Sequence, residues 1–154
     1  MRDCLIKKIR SFNRYYTVWL EVMNKDYLGT ELAWPESRVL FEVYLCPNIT
    51  ATDLCEHLKM DKGYVSRIIR KFEKDGFLTR RLVVGSKGLK TIVLTTRGEN
   101  EALKIDMHGT QQIQDKLKYL DQETFEKLCE AMSFIEETLR DNDKGEKLSW
   151  KTML

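Results

Sequence analysis

Residues 49–95 read ITATDLCEHLKMDKGYVSRIIRKFEKDGFLTRRLVVGSKGLKTIVLT, and their order decides the fold. Thr50 followed three residues later by Asp53 has the form of a helix start, a hydroxyl cap with an acid in the first turn. Ala51, Leu54, Cys55 and Leu58 then recur at helical spacing. Lys59, Met60 and Asp61 make a short turn, and the Asp61 carboxylate caps a second helix. That helix carries Val65, Ile68, Ile69 and Phe72 on one face. Gly76 stands where a left-handed residue is needed to end it. Two short helices joined by a three-residue turn form a helix-turn-helix. Two β-rich runs follow, Phe77–Val84 and Leu89–Thr95, around Gly85-Ser86-Lys87-Gly88, which reads as a hairpin with a flexible tip. A helix-turn-helix followed by a basic hairpin is the winged-helix pattern.

The outward face of the second helix carries the chemistry. Lys62, Ser66, Arg67, Arg70, Lys71 and Lys74 point away from its apolar stripe. Between Lys59 and Lys90 stand ten Lys/Arg against three Asp/Glu, a local charge of +7 in a chain whose net charge is +2, so the remainder sums to −5. Basic charge is concentrated on the unit that phosphate neutralisation would use. A charge run alone describes a solvated helix beside an ordinary hairpin. The helix, turn, helix, wing order together with the charge segregation favours DNA binding. A helix fits the major groove, where its N-terminal side chains reach base edges. The expected DNA-contacting residues are Thr50, Thr52, Lys62, Gly63, Tyr64, Ser66, Arg67, Arg70 and Lys71 on the two helices, with Arg80, Arg81, Ser86, Lys87 and Lys90 on the wing. Gly63 has no side chain and allows close backbone approach.

ATDLCEHLKMDKGYVSRIIRKFEKDGFLTRR followed by LTTRG at Leu94–Gly98 resembles the MarR family of bacterial transcription regulators, and the likeness extends across Arg10–Leu139. It is closer still to the regulator half of fused MarR–acetyltransferase proteins, through IRSFNRYYT at Ile9–Thr17, ESRVLFEV at Glu36–Val43, DKGYVSRI at Asp61–Ile68 and AMSFIEETL at Ala131–Leu139. No acetyltransferase region follows before Leu154. The resemblance implies a homodimer built from the first and last helices, and effectors bound where the long helices meet the winged unit. Tyr15, Tyr16, Trp19 and Trp34 are the aromatics it puts forward as an effector pocket, although core or interface packing is the ordinary use of such side chains. One departure matters. MarR wings usually carry Asp-x-Arg at the tip, where this chain has Ser86-Lys87-Gly88, so Lys87 and Lys90 are left as phosphate contacts only.

At 154 residues the chain is a single unit or two small lobes sharing helices. The expected division is a winged lobe over 35–95, dimerisation helices at 2–27 and 97–140, and a tail at 141–154; the fold class is mainly α with a small β-hairpin wing. Hydrophobic content of 42% supports a real core. No apolar run approaches the ~20 residues of a membrane span. The N-terminal MRDCLIKKIR lacks a signal-peptide apolar core, which points to the cytoplasm. Cys4, Cys46, Cys55 and Cys129 lie far apart with no CxxC, so free buried thiols are expected, with Cys4 the most exposed. Neither His57 nor His108 has a second ligand at metal-binding spacing, so no metal and no cofactor are expected.

Outside the winged lobe, Leu5, Ile9, Phe12, Tyr16, Leu20 and Met23 form a stripe of about six turns over 2–27, more than a small lobe needs. Pro35 suits the first turn of a helix that carries Val39, Leu40, Val43 and Tyr44 inward and stops before Pro47. Pro47-Asn48-Ile49 is a loop too short to give a strand. Thr95 or Thr96 begins the next helix, where Thr96 with Glu99 makes a capping box, and its stripe is Leu103, Met107, Thr110, Ile113, Leu117 and Leu120. Asp121 caps a final helix with Phe125, Leu128, Cys129, Met132, Ile135 and Leu139 inward and an acidic opposite face that stays off DNA. No Ser/His/acid set, paired carboxylates, P-loop or GxGxxG supports an enzyme. The leading expectation is therefore a homodimeric, sequence-specific DNA-binding transcription regulator. A thiol-based redox-sensing regulator and a winged-helix protein-interaction module are the alternatives.

Overall fold

The computed structural model describes residues 2–24 and 27–142. Six helices and one hairpin follow in order: α1 Arg2–Trp19, a 3-10 turn Tyr27–Gly29, α2 Trp34–Leu45, α3 Ala51–Leu58, α4 Lys62–Lys74, β1 Leu78–Leu82, β2 Lys90–Leu94, α5 Thr96–Leu117 and α6 Gln122–Asn142.

Local chemistry sets each boundary of the central lobe. Thr50 and Asp53 form a reciprocal cap: the Asp53 N–H donates to Thr50 Oγ1 at 3.2 Å, and the Thr50 N–H donates to Asp53 Oδ2 at 3.0 Å. α3 ends at Lys59 in the left-handed region (φ 49), an unusual conformation for a residue with a Cβ. The Asp61 carboxylate then accepts the Tyr64 N–H at 2.9 Å and starts α4. Gly76 (φ 76) turns the chain out of α4, and the Phe77 N–H reaches back to the Phe72 carbonyl at 2.9 Å. β1 and β2 pair antiparallel from Leu78↔Leu94 to Leu82↔Lys90. The loop before α3 adds a single bridge, Thr50↔Thr91, with the Ile92 N–H donating to the Ile49 carbonyl at 2.8 Å, so a minimal third strand exists where the sequence offered none.

Val39, Leu40 and Val43 of α2, Leu54 of α3, Val65, Ile68, Ile69 and Phe72 of α4, Leu78, Ile92, and Ala102 and Ile105 of α5 make one buried cluster. Phe72 is fully enclosed and meets Phe77 edge to face at 5.6 Å. Burial of a side chain that size is worth about 3 kcal/mol. α5 belongs to this core through its N-terminal half and leaves it through its C-terminal half.

Several expectations need correction. α1 does not continue to residue 27: it ends at Trp19, and Glu21 adopts φ 57. The cause is tertiary, since Glu21 turns to meet Lys116 of α5 at 2.7 Å. That ion pair and hydrogen bond hold the Glu21 carboxyl below its ordinary value. Met23 is consequently off the helix and 88% exposed. α2 begins at Trp34, so Pro35 does stand in its first turn as expected, with Glu36 accepting the Ala33 N–H at 3.3 Å. α5 is capped by Thr95 rather than Thr96; Thr95 Oγ1 accepts the Gly98 N–H at 3.2 Å and donates to the Gly76 carbonyl at 2.6 Å. α6 extends through Asp141 to Asn142; the rest of the expected tail, with Leu148, Trp150 and Leu154, lies outside the described residues.

Candidate nucleic-acid interface

α4 buries Val65, Ile68, Ile69 and Phe72, and this fixes which side chains face outward. Lys62, Gly63, Tyr64, Arg67, Arg70 and Lys71 are exposed and Ser66 is half-buried. Tyr64 and Arg67, three residues apart, form a cation–π pair with the guanidinium carbon 5.7 Å from the ring centroid. The ring gives Arg67 a support that leaves its planar donors directed outward. Gly63 has a structural reason beyond close approach to DNA: a Cβ there would stand 3.1 Å from the Asp61 carboxylate that caps the helix.

The structure separates the expected contact residues into two groups. Lys62, Arg67, Arg70, Arg81, Lys87 and Lys90 are exposed, and among the described residues none of them forms an ion pair. Thr52 is likewise exposed on α3. The others are engaged within the fold. Lys71 reaches back to Glu36 of α2 at 2.7 Å, and Arg80 of β1 pairs with Glu73 of α4 at 2.9 Å. Thr50 gives its hydroxyl hydrogen to Asp53 Oδ2 at 2.7 Å. Ser86 Oγ donates to the Val83 carbonyl at 2.7 Å and accepts the Leu89 N–H at 3.1 Å. The wing tip is thus braced by Ser86 rather than loose, and it turns through Gly85 (φ 81) and Gly88 (φ 91). The Arg80–Glu73 pair ties the wing to the reading helix.

The expected aromatic pocket does not assemble. Phe12, Tyr16 and Trp19 stack along α1 at 5.4 and 5.6 Å, Tyr15 is 66% exposed, and Lys116 sits 5.5 Å over Trp19. Trp34 is half-buried at the start of α2. A cavity of about 450 Å³ does lie where α2, the Tyr27–Gly29 turn and α5 meet, but its walls are Tyr27, Leu28, Phe41, Ile105 and Ile113, with Ser37 and Arg38 among the polar groups. None of the four aromatics lines it. Ser37 Oγ is buried there without a hydrogen-bond partner among the described residues. Burial raises the Tyr27 phenol above its ordinary value.

The thiols are not uniformly buried. Cys4 and Cys129 are exposed, Cys46 and Cys55 are half-buried, and none of the four is in a disulfide. Burial pushes the Cys46 and Cys55 thiols up, away from the reactive thiolate. His57 has ligand-type neighbours that its sequence spacing hid, Glu42 and Cys46 of α2. His108 Nδ1 meets the Leu28 carbonyl at 2.5 Å.

A helix-turn-helix with a two-stranded wing, set between long terminal helices, defines a winged-helix fold of the kind seen in DNA-binding regulators. The family model described as the MarR family matches residues 32–82, from the loop before α2 to the end of β1. FabT of Streptococcus pneumoniae, in complex with DNA, superposes with a TM-score of 0.71 at 13% identity, over 92% of this chain and 99% of that one. A putative MarR family transcriptional regulator from Listeria monocytogenes, complexed with a 26mer DNA, gives 0.69 at 21% identity, over 92% and 97%. The MepR–DNA complex of Staphylococcus aureus gives 0.66 at 16% identity, over 84% and 96%. Such identities carry the likeness of fold. No curated protein sequence matches the chain. Among the described residues, no helix is long and apolar enough to cross a membrane.

Proposed function

We propose that the chain is a sequence-specific, DNA-binding transcription regulator that acts as a homodimer on a near-palindromic operator. The observation that carries the reading is the set of exposed cations without ion pairs on one reading helix and its wing, Lys62, Arg67, Arg70, Arg81, Lys87 and Lys90, in a chain that is acidic elsewhere. Arg67, held on Tyr64, presents two donors to guanine, and the wing lysines neutralise phosphate. The DNA-bound neighbours of the same fold support the reading, as does the match of the reading unit to the MarR family. The finer likeness to the regulator half of MarR–acetyltransferase fusions rests on the four sequence segments named above and belongs to the same reading.

The dimer follows from surface. Leu5, Ile9, Phe12 and Val18 of α1 and Phe134 and Leu139 of α6 are each at least 46% exposed in the single chain, and α1 buries none of its residues. Among the described residues nothing covers the apolar faces of these two amphipathic helices, and a second copy would cover them. Two reading helices set about one turn of DNA apart then read matching half-sites. The α2–α5 cavity is the effector site of this reading, with Ser37 Oγ as the polar group a ligand would satisfy.

A gel-shift of the full chain on random duplex, repeated over a salt series, is the test. Half of the twelve cations of a dimer reaching phosphate gives a log–log salt slope of about −5. Absence of binding at the lowest salt, or binding that ignores salt, overturns the reading.

A further inference from the structure

Beneath the reading unit, α2 and α3 bring together three side chains of different chemistry. Glu42 and Cys46 stand one turn apart at the end of α2, and His57 approaches from α3. His57 Nδ1 lies 3.0 Å from Glu42 Oε1, and the Cys46 thiol is 3.9 Å from the same oxygen. The three ligand-type atoms all lie within 4.8 Å of one another. Glu42 is a buried carboxylate, with 9% of its side chain exposed, and His57 retains 16%. Arg38 sits 3.7 Å from the other carboxylate oxygen, and Asp53 is the second acid that acts on Cys46.

We propose that Glu42, Cys46 and His57 form a site for a zinc-class divalent cation that staples the end of α2 to α3. Zinc bound tetrahedrally to oxygen, nitrogen and sulfur at about 2.0–2.3 Å holds its ligand atoms about 3.3–3.6 Å apart. The 3.0 and 3.9 Å separations bracket that span, and the third lies within 4.8 Å. Arg38 holds Oε2 and leaves Oε1 to the metal, the part an outer partner plays in orienting a ligating carboxylate. The donor set also selects the metal. A thiolate and an imidazole suit zinc and its neighbours and disfavour magnesium and calcium, which take oxygen ligands. Three protein ligands leave the fourth position to water.

Binding requires Cys46 to give up its proton, and the cation takes the carboxylate contact that the imidazole makes without it. One proton per site passes to solvent from the thiol, and a second passes from His57 when the ring is charged. Because the thiol must lose its proton for the cation to bind, affinity falls as pH drops. α3 packs directly against the reading helix, which places the staple next to α4 without touching DNA. The site stands whether or not the chain reads DNA, since it rests on these side chains alone.

The test uses the reduced full chain and Co²⁺ as a spectroscopic stand-in for Zn²⁺. One equivalent of Co²⁺ per chain should produce a thiolate-to-metal charge-transfer band and the intense d–d absorption of a four-coordinate ion, and Zn²⁺ should bleach both. Cys46→Ser should abolish the charge-transfer band, while Cys55→Ser and Cys129→Ser keep it. His57→Gln and Glu42→Gln should each weaken Zn²⁺ binding by about 100-fold, the upper end of what even an outer-sphere partner costs. Zn²⁺ should raise the melting temperature of the parent and leave that of Cys46→Ser unchanged, a comparison that also reports whether the variant folds. No band at stoichiometric Co²⁺, or a band that survives in a folded Cys46→Ser or His57→Gln chain, overturns the proposal.

Discussion

Among the glycines of the described residues, Gly98 should be the one where an added methyl group, Gly98→Ala, does most damage. A Cβ at Gly98 would stand 1.9 Å from the Phe77 carbonyl oxygen, 2.9 Å from its carbon and 3.2 Å from Leu94 Cδ2. Relief requires a separation of at least about 1 Å, a scale at which a packed core shifts off its rotamers. The Phe77 backbone cannot simply retreat. Its oxygen accepts the Thr95 N–H at 3.0 Å and the Thr95 hydroxyl at 3.2 Å, and its own N–H is bound to Phe72. Its ring lies against Phe72 and under Arg97, whose guanidinium is 4.7 Å from the centroid. Loss of those two hydrogen bonds costs about 1 kcal/mol each. Overpacking adds about 1–3 kcal/mol, and the gain in helix propensity from Gly to Ala returns at most about 1 kcal/mol. The net is roughly 2–4 kcal/mol, or a fall in melting temperature of roughly 10 °C for a chain of this length. Far-ultraviolet circular dichroism measures it directly. Gly109→Ala is the internal control: the same substitution on the same helix meets only Leu28 Cδ1 at 3.6 Å and should leave stability equal or slightly raised. A Gly98→Ala chain that melts with the parent, or a Gly109→Ala chain that melts below it, would refute the packing argument.

Other outcomes follow from the same coordinates. Arg67→Ala should flatten the preference between an operator and a mutated operator by about 1–3 kcal/mol, whereas Lys87→Ala should weaken both about equally and reduce the salt slope by about 1; titrations of both variants on two duplexes at several salt concentrations decide it, and the reverse pattern would mean that the wing reads sequence. Ile9→Lys places a charge on a face that is 61% exposed in the single chain, so it should convert a dimer to monomer or aggregate in sedimentation; a parent chain that sediments as a stable folded monomer removes the basis for a covered face. Asp121 accepts the Thr124 N–H at 2.8 Å and its hydroxyl at 3.2 Å, which holds its carboxyl below the usual range. A depressed folded value means that the stabilisation is present above the unfolded value and is lost as pH falls through the folded one, below about pH 4. Asp121→Ala should therefore lower the melting temperature at neutral pH and narrow its gap to the parent in acid; an equal gap at both would show that the cap carries no proton-linked stability.

The helix-turn-helix was legible because its signals close within a few residues. Thr50 with Asp53, Asp61 with the Tyr64 N–H, and Gly76 after Phe72 each fix a helix end by a bond spanning three to five positions. Where a distant partner decides, the sequence misleads. The apolar stripe of α1 continues through Leu20 and Met23, yet the helix stops because Glu21 finds Lys116 on α5. Thr95 and Thr96 are equal candidates for a cap until the Gly76 and Phe77 carbonyls select Thr95. The site divides the same way. Charge segregation marked the reading face, but which cations remain available depends on Glu36 and Glu73, acids that sit away from Lys71 and Arg80 in sequence. The Glu42–Cys46–His57 cluster was hidden for this reason too, since its imidazole stands 15 residues beyond the carboxylate it meets.

The position of α5 gives these contacts a shared consequence. Its first turns are locked to the base of the wing: Thr95 bonds Phe77, Arg97 donates to the Asp75 carbonyl at 2.7 Å, and Gly98 admits the Phe77 carbonyl against its bare Cα. Ala102 and Ile105 then enter the core, whereas Leu103 and Met107 are exposed. One continuous helix is therefore fixed at its start to the base of the wing and carries exposed apolar side chains further along. A helix of 22 residues is about 33 Å long, and it transmits a tilt at one end as a displacement at the other. The α2–α5 cavity lies along that lever, between Ile105 and Ile113. Under the proposed function, a ligand that wedged α5 away from α2 there would move α4 and the wing together, because the Arg80–Glu73 pair and the Phe77 contacts bind them to one body. In the proposed dimer, whose operator would fix the spacing of two copies of α4, that motion would change affinity without touching a residue proposed to contact DNA.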